Sequence, residues 1–213
     1  MTRGGVEKLV RIPLNSISLE GLLKVPQSAK SLVIFVHGSG SSRLSPRNNY
    51  VADVLNRAGL ATLLFDLLTE DEDQVYETRF DIDLLVERLR VATHWVKDNE
   101  LTKNFKIGYF GASTGAAAAI KAAADLGEDI KALVSRGGRP DLAGEALTKL
   151  KSPILLIVGG QDEEVIKLNK KALALIKAEK KLSIIPGATH LFEEEGTLDQ
   201  VAKEAVEWFN KHW

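Results

Sequence analysis

The sequence predicts an α/β fold built on a mainly parallel, doubly wound sheet with helices on both faces. Three observations predict it. Short runs of β-branched and aliphatic residues alternate with longer segments of helical period along the chain. Those runs are apolar on both faces instead of alternating, as strands covered from both sides must be. No Pro/Gly/Ser-rich linker, repeat or low-complexity segment divides the 213 residues, so a single domain over 1–213 is expected.

Taken in order, residues 7–14 and 16–25 read as an antiparallel hairpin at one edge, turning at Asn15-Ser16. The buried runs are 32–37, 61–66, 105–111, 130–135, 154–159 and 182–186. Between the first two, Ser45 can cap a helix with Pro46 at its first position and Gly59 beyond its end. Over 80–97, Ile82, Leu85, Val86, Leu89, Ala92 and Val96 keep to one helical stripe. Residues 116–126 are helix-forming, and Val165, Leu168, Ala172, Leu175 and Ile176 form another stripe. The last helix opens with Thr197 and Gln200 at capping-box spacing and buries Val201, Ala205, Val206 and Phe209. Glu70-Asp71-Glu72-Asp73 reads as a solvated loop, with Tyr76 and Phe80 as candidates to overhang a pocket. Ligands in such sheets bind beyond the carboxyl ends of the strands.

Composition narrows the function. Lys and Arg number 28 against 29 Asp and Glu, a formal net charge of −1, which rules out a nucleic-acid binder working through bulk positive charge. There is no cysteine, hence no disulfide scaffold, thiolate metal site or cysteine nucleophile. Residues 1–10 carry Arg3, Glu7 and Lys8 without an apolar core, so no signal peptide is expected. No apolar run is long enough to span a bilayer. A cytoplasmic location, no metal and no cofactor are the expectations.

The run 105–110 leads into Gly111-Ala112-Ser113-Thr114-Gly115 and then a helix. G-x-S-x-G at a strand-to-helix junction makes a turn so tight that the serine is strained and neighbouring side chains collide unless they are glycine. Such a turn exposes the Ser113 hydroxyl and aims the Thr114 amide, at a helix N-terminus, toward an anion forming beside it.

A serine nucleophile needs a base. Of four histidines, His94 falls within a helix, His212 is next to last, and His37 ends a strand, where its imidazole is expected to tie a loop in place. His190 lies in the loop past the last strand, at the carboxyl edge. Its second nitrogen needs an acceptor, and Asp162 after Gly159-Gly160-Gln161 is the candidate, with Asp141 and Glu163 as competitors. Asp162 could equally cap the following helix.

The run 32–37 ends in His37-Gly38-Ser39-Gly40. The Ser39 amide is the candidate partner for Thr114 in an oxyanion hole, with Gly40 next; each donor is worth roughly 3–4 kcal/mol in comparable enzymes. Arg43, Arg47, Arg136 and Arg139 follow strand ends, and their guanidinium forks suit a carboxylate or phosphate on a substrate. Bracing of loops is the alternative role.

These motifs together resemble the α/β-hydrolase superfamily, and within it the dienelactone hydrolase-like group. The resemblance is carried by His37-Gly38-Ser39-Gly40, Gly111-Ala112-Ser113-Thr114-Gly115, Gly159-Gly160-Gln161-Asp162 and Gly187-Ala188-Thr189-His190. It implies an α/β-hydrolase fold of about eight strands, one of them antiparallel, with Ser113, Asp162 and His190 as the catalytic triad and the amides of Ser39 and Thr114 as the oxyanion hole. Dienelactone hydrolase proper has a cysteine nucleophile, where this chain has Ser113. No cap domain is inserted between 136 and 153.

The expected function is therefore a serine esterase, acting on small carboxylic esters or thioesters through an acyl-Ser113 intermediate. A pocket without a cap should be shallow and open. Peptidase or acyltransferase activity from the same triad, and a non-catalytic binding or regulatory protein on this scaffold, are the alternatives. The partner is a small-molecule ester, not nucleic acid or membrane. A homo-oligomer is compatible with the sequence.

Overall fold

The computed structural model describes residues 5–213; residues 1–4, which belong to the N-terminal stretch read for a signal peptide, lie outside the described residues. Eight strands form one sheet: β1 (Val6–Leu14), β2 (Ile17–Val25), β3 (Ser31–Val36), β4 (Ala61–Phe65), β5 (Lys106–Ala112), β6 (Ile130–Arg136), β7 (Ile154–Gly159) and β8 (Lys180–Ile185). Their spatial order is β1-β2-β4-β3-β5-β6-β7-β8. β2 runs antiparallel to both neighbours, and every pairing from β4 to β8 is parallel. One strand is thus reversed. Asn15 makes the hairpin turn with φ 48.

Every residue of β3, β4 and β7 is buried, which is why these segments carry no polar alternation. Period-two geometry still sorts their side chains. Leu32, Ile34 and Val36 join a core with α3 (Ile82–Asp98) and α4 (Thr114–Leu126), together with Ala172 of α6 (Glu163–Leu175). Val33 and Phe35 face the opposite core, against α1 (Pro46–Arg57) and α7 (Thr197–Lys211). Burial of side chains such as Phe35, Phe110 and Phe209, at roughly 1.5–3 kcal/mol each, drives the layering. Among the described residues, no helix is long and apolar enough to cross a membrane.

Two local expectations need correction, those for the run 70–73 and for the last helix. The acidic run 70–73 is helical: α2 (Glu70–Gln74) starts in a full capping box between Thr69 and Glu72. Glu72 also accepts from the buried Arg88 at 2.6 Å, so this segment is fastened to α3. The last helix lacks a capping box. Gly196 precedes it in a left-handed conformation, and the Thr197 hydroxyl donates back to the Glu194 carbonyl. Tyr76 and Phe80 are exposed and pack against each other at 5.0 Å. The link between β6 and β7 holds only a 3-10 turn (Pro140–Ala143) and α5 (Ala146–Lys149), so no cap domain is present there.

Candidate active site

β5 delivers Ser113 at its carboxyl end, where the chain reverses into α4. Ser113 has φ 49 and ψ −122, a conformation that non-glycine residues avoid. Glycine at 115 is a steric requirement: a Cβ there would lie 2.1 Å from the Val36 carbonyl oxygen and 2.4 Å from that of His37. The same is true of Gly111, whose Cβ would meet Ala116 Cα at 2.6 Å. Backbone bonds hold the strained residue from the β6 side. Ser113 N–H donates to the Arg136 carbonyl (3.3 Å), and Arg139 N–H donates to the Ser113 carbonyl (3.0 Å).

Asp162 and His190 come from the loops after β7 and β8. Those loops are stitched together by Gly160 N–H to Ile185 O (2.8 Å) and Gln161 N–H to Ala188 O (2.9 Å). Across them, His190 Nδ1 and Asp162 Oδ2 lie 2.6 Å apart. The Asp162 side chain is 15% exposed and that of His190 39%, so the carboxylate is shielded while the imidazole reaches the surface. Asp162 sits at the N-cap of α6, yet its side chain makes no cap bond there. Of the competing acids, Asp141 is held by Arg139 through two bonds of 2.9 and 2.8 Å, and Glu163 lies in the first turn of α6.

Ser113 and His190 both border the loop that follows β6. Ser113 bonds to Arg136, and a Cβ on the next residue, Gly137, would stand 3.5 Å from His190 Cε1. No hydrogen bond joins Ser113 Oγ to the imidazole in this structure; the Nδ1 bond to Asp162 leaves Nε2 available for it. Sequence reasoning missed a brace. Glu194 accepts from the Thr189 amide at 3.0 Å, and this bonding to Thr189 holds its carboxyl below the usual range. Phe192, buried at φ 56, turns the same loop inward.

The loop after β3 lies against the elbow: a Cβ on Gly38 would be 3.0 Å from Ser113 Cβ. The Ser39 amide is already engaged, donating to Thr114 Oγ1 at 3.0 Å. An oxyanion using that amide must share or displace the Thr114 hydroxyl. His37 is buried and fixes the loop. Leu67 N–H donates to its Nε2 (3.1 Å), which leaves the proton on Nδ1 to donate to the Gly38 carbonyl (3.0 Å). Burial holds this imidazole below its usual value.

The four arginines have different surroundings. Arg43 is paired with Asp66 and Glu20, and Arg139 with Asp141, so both brace loops. Arg47 reaches Glu193 at 3.0 Å. Arg136 has no carboxylate partner. A cavity of about 620 Å³ lies beside the β3 loop, walled by Glu20, His37, Ser42, Arg43 and Asp66. Among the described residues, no group of three or more His, Asp and Glu could hold a metal ion.

The dienelactone hydrolase family model matches residues 19–213. Two curated Mycobacterium tuberculosis proteins, from strains CDC 1551 and H37Rv and provisionally named phosphoribosyl transferases, are 53% identical over 203 residues. That match takes in 95% of this chain but 46% of theirs, so the chain spans about half their length. Among solved structures, the dienelactone hydrolase of Anabaena variabilis is 52% identical, with a TM-score of 0.95 over 98% of both chains. Est1E of Butyrivibrio proteoclasticus shares the fold at 20% identity, with a TM-score of 0.82 over 96% of this chain and 98% of its own.

Proposed function

The chain belongs to the dienelactone hydrolase family, and from that premise we propose that it is a serine hydrolase of small carboxylic esters or thioesters, one catalytic domain over 1–213. The observation that carries this reading is the 2.6 Å bond between His190 Nδ1 and Asp162, at the same carboxyl edge as the strained Ser113. His190 Nε2 takes the Ser113 proton as the hydroxyl attacks the acyl carbon, and Asp162 stabilises the imidazolium. The bond from Ser113 Oγ to Nε2 is the contact that substrate binding completes. The tetrahedral oxyanion is received by the amides of Thr114 and Ser39, the Thr114 hydroxyl yielding its bond to Ser39 as charge develops. The imidazolium returns its proton to the leaving alcohol or thiol, which leaves acyl-Ser113. Water activated by His190 then releases the acid.

Phosphoribosyl transferase is the name of proteins about twice as long; for this half, acyl chemistry fits a serine, an imidazole and a carboxylate better. The test is a fluorophosphonate probe with intact-mass detection, alongside hydrolysis of aryl esters of graded acyl length. One adduct, absent from Ser113→Ala together with ester turnover, is expected. Labelling elsewhere, or unchanged turnover in Ser113→Ala, refutes the reading.

A further inference from the structure

β1 is an outer strand of the sheet, far from the Ser113 turn. It pairs with β2 residue for residue, from Val6↔Val25 to Leu14↔Ile17, and among the described residues no strand pairs with its other side. The direction of its backbone groups follows from β2. Asp66 N–H donates to the Glu20 carbonyl at 2.9 Å, so Glu20 turns its backbone groups toward β4 and away from Arg11, its partner on β1. Antiparallel pairing alternates along a strand, so Glu7, Leu9 and Arg11 point their amides and carbonyls outward while Lys8, Val10 and Ile12 bond to β2. Pro13 has no amide to give and falls on an outward position, where β2 loses no bond. An open row of this kind is a template for another strand.

The side chains on the outward positions favour one particular strand. Glu7, Leu9 and Arg11 share a face and are all exposed, Leu9 by 75%. Beside them on β2 stand Lys24, Leu22 and Glu20. Lys24 lies 3.8 Å from Glu7, whereas Glu20 is engaged by Arg43 and leaves Arg11 without its cross-strand acid. Charged residues commonly guard an edge against pairing. Here Glu7 and Arg11 carry opposite signs and stand equally far from Leu9 on either side.

We propose that a second copy of this chain docks on β1, antiparallel about a two-fold axis at Leu9, and joins the two eight-stranded sheets into one. Leu9 then meets Leu9 of the second copy, and Glu7 meets its Arg11 at both ends of the contact. Across the four central strands the charges alternate in sign, through Lys24, Glu7, Arg11 and Glu20. The outward amides and carbonyls of Glu7, Leu9 and Arg11 exchange about six hydrogen bonds. Other registers fail on charge. A centre at Glu7, Lys8 or Arg11 sets like charges face to face, which destabilises a pair. A centre at Val10 leaves Arg11 opposite Leu9 and Glu7 opposite Pro13.

The experiment is sedimentation equilibrium from about 1 to 200 μM, the range in which modest interfaces dissociate. Wild type should pass from the mass of one chain to that of two. Glu7→Arg and Arg11→Glu each create like-charge contacts at both ends, and each should weaken self-association tenfold or more. An equimolar mixture of the two variants should associate again, because each supplies the charge the other lacks. In wild type, residue-resolved hydrogen exchange should slow at the amides of Glu7, Leu9 and Arg11 as concentration rises, with those of Lys8 and Val10 unchanged. A chain that stays single over the whole range leaves the edge to some other protein's strand and overturns the proposal. Self-association that both variants keep overturns it too, as do variants that melt with wild type yet stay single when mixed. Should the variants melt low, the exchange pattern decides: protection that does not alternate along β1 overturns the pairing.

Discussion

Replacing Gly159 by alanine tests how closely the acid loop and the histidine loop depend on each other. Gly159 ends β7, and a Cβ there would stand 2.4 Å from the Ala188 carbonyl oxygen and 2.5 Å from that of Thr189. Both atoms are backbone, so no side chain can swing aside. To regain the roughly 3.4 Å of ordinary contact, the segment before His190 must retreat by about 1 Å. The bond from Gln161 N–H to Ala188 O, now 2.9 Å, stretches with it, and so does the 2.6 Å contact between His190 and Asp162. Forced overpacking of this kind costs about 1–3 kcal/mol. For a chain of this size each kcal/mol lowers the melting temperature by roughly 2–4 °C. With His190 as the base proposed above, a misplacement of about 1 Å there should lower kcat by about a hundredfold. Thermal melts and steady-state hydrolysis of an aryl acetate measure both effects. A Gly159→Ala protein that melts with wild type and retains turnover within about threefold would refute the steric reasoning.

Other outcomes follow from the same contacts. Asp162→Asn should lose about ten-thousandfold in kcat, because the imidazole loses its orienting charge. Asp141→Asn, which only frees Arg139, should stay within a few-fold of wild type by the same assay. Glu72→Ala leaves the buried Arg88 without its partner and should destabilise the fold by about 1–3 kcal/mol in urea titration, with little change in KM. Acid stability should report on His37, which burial holds below its usual 6.5. The unfolded chain then binds a proton that the folded one refuses, so stability falls as pH drops below about 6.5 until the folded imidazole itself titrates. Protonation at Nε2 also destroys the acceptor of Leu67 N–H. Melts between pH 7 and 5 should show a shallower acid slope in His37→Asn than in wild type.

The parts of this molecule that were legible are those whose cause is local. Fully apolar runs such as 154–159 declare strands covered on both faces, and glycine at 111 and 115 declares a turn that tolerates nothing larger. The α2 cap was also local, since Thr69 and Glu72 stand at capping-box spacing, but the density of charge in 70–73 masked it. The Arg139–Asp141 pair lies two residues apart and was similarly within reach. Illegible features depend on partners brought together by the sheet. Ser39 meets the Thr114 hydroxyl from 75 positions away, and Arg43 meets Asp66 from 23, which withdraws both from the free state their motifs suggest. Arg136 shows the reverse case. Its sequence context is the same Gly-rich turn as that of Arg139, and only burial separates the unpaired guanidinium from the paired one.

The close approach of α4 to β3 at Gly115 also governs how the molecule can loosen. With barely a hydrogen atom's space between that residue and the carbonyls of Val36 and His37, neither segment has slack to breathe alone. Fluctuations that part them expose both at once, so in hydrogen–deuterium exchange the amides of 36–40 and 113–117 should share one opening event. Ageing or heating should then open both segments in a single step, with no intermediate that keeps the Ser113 turn ordered beside a disordered neighbour.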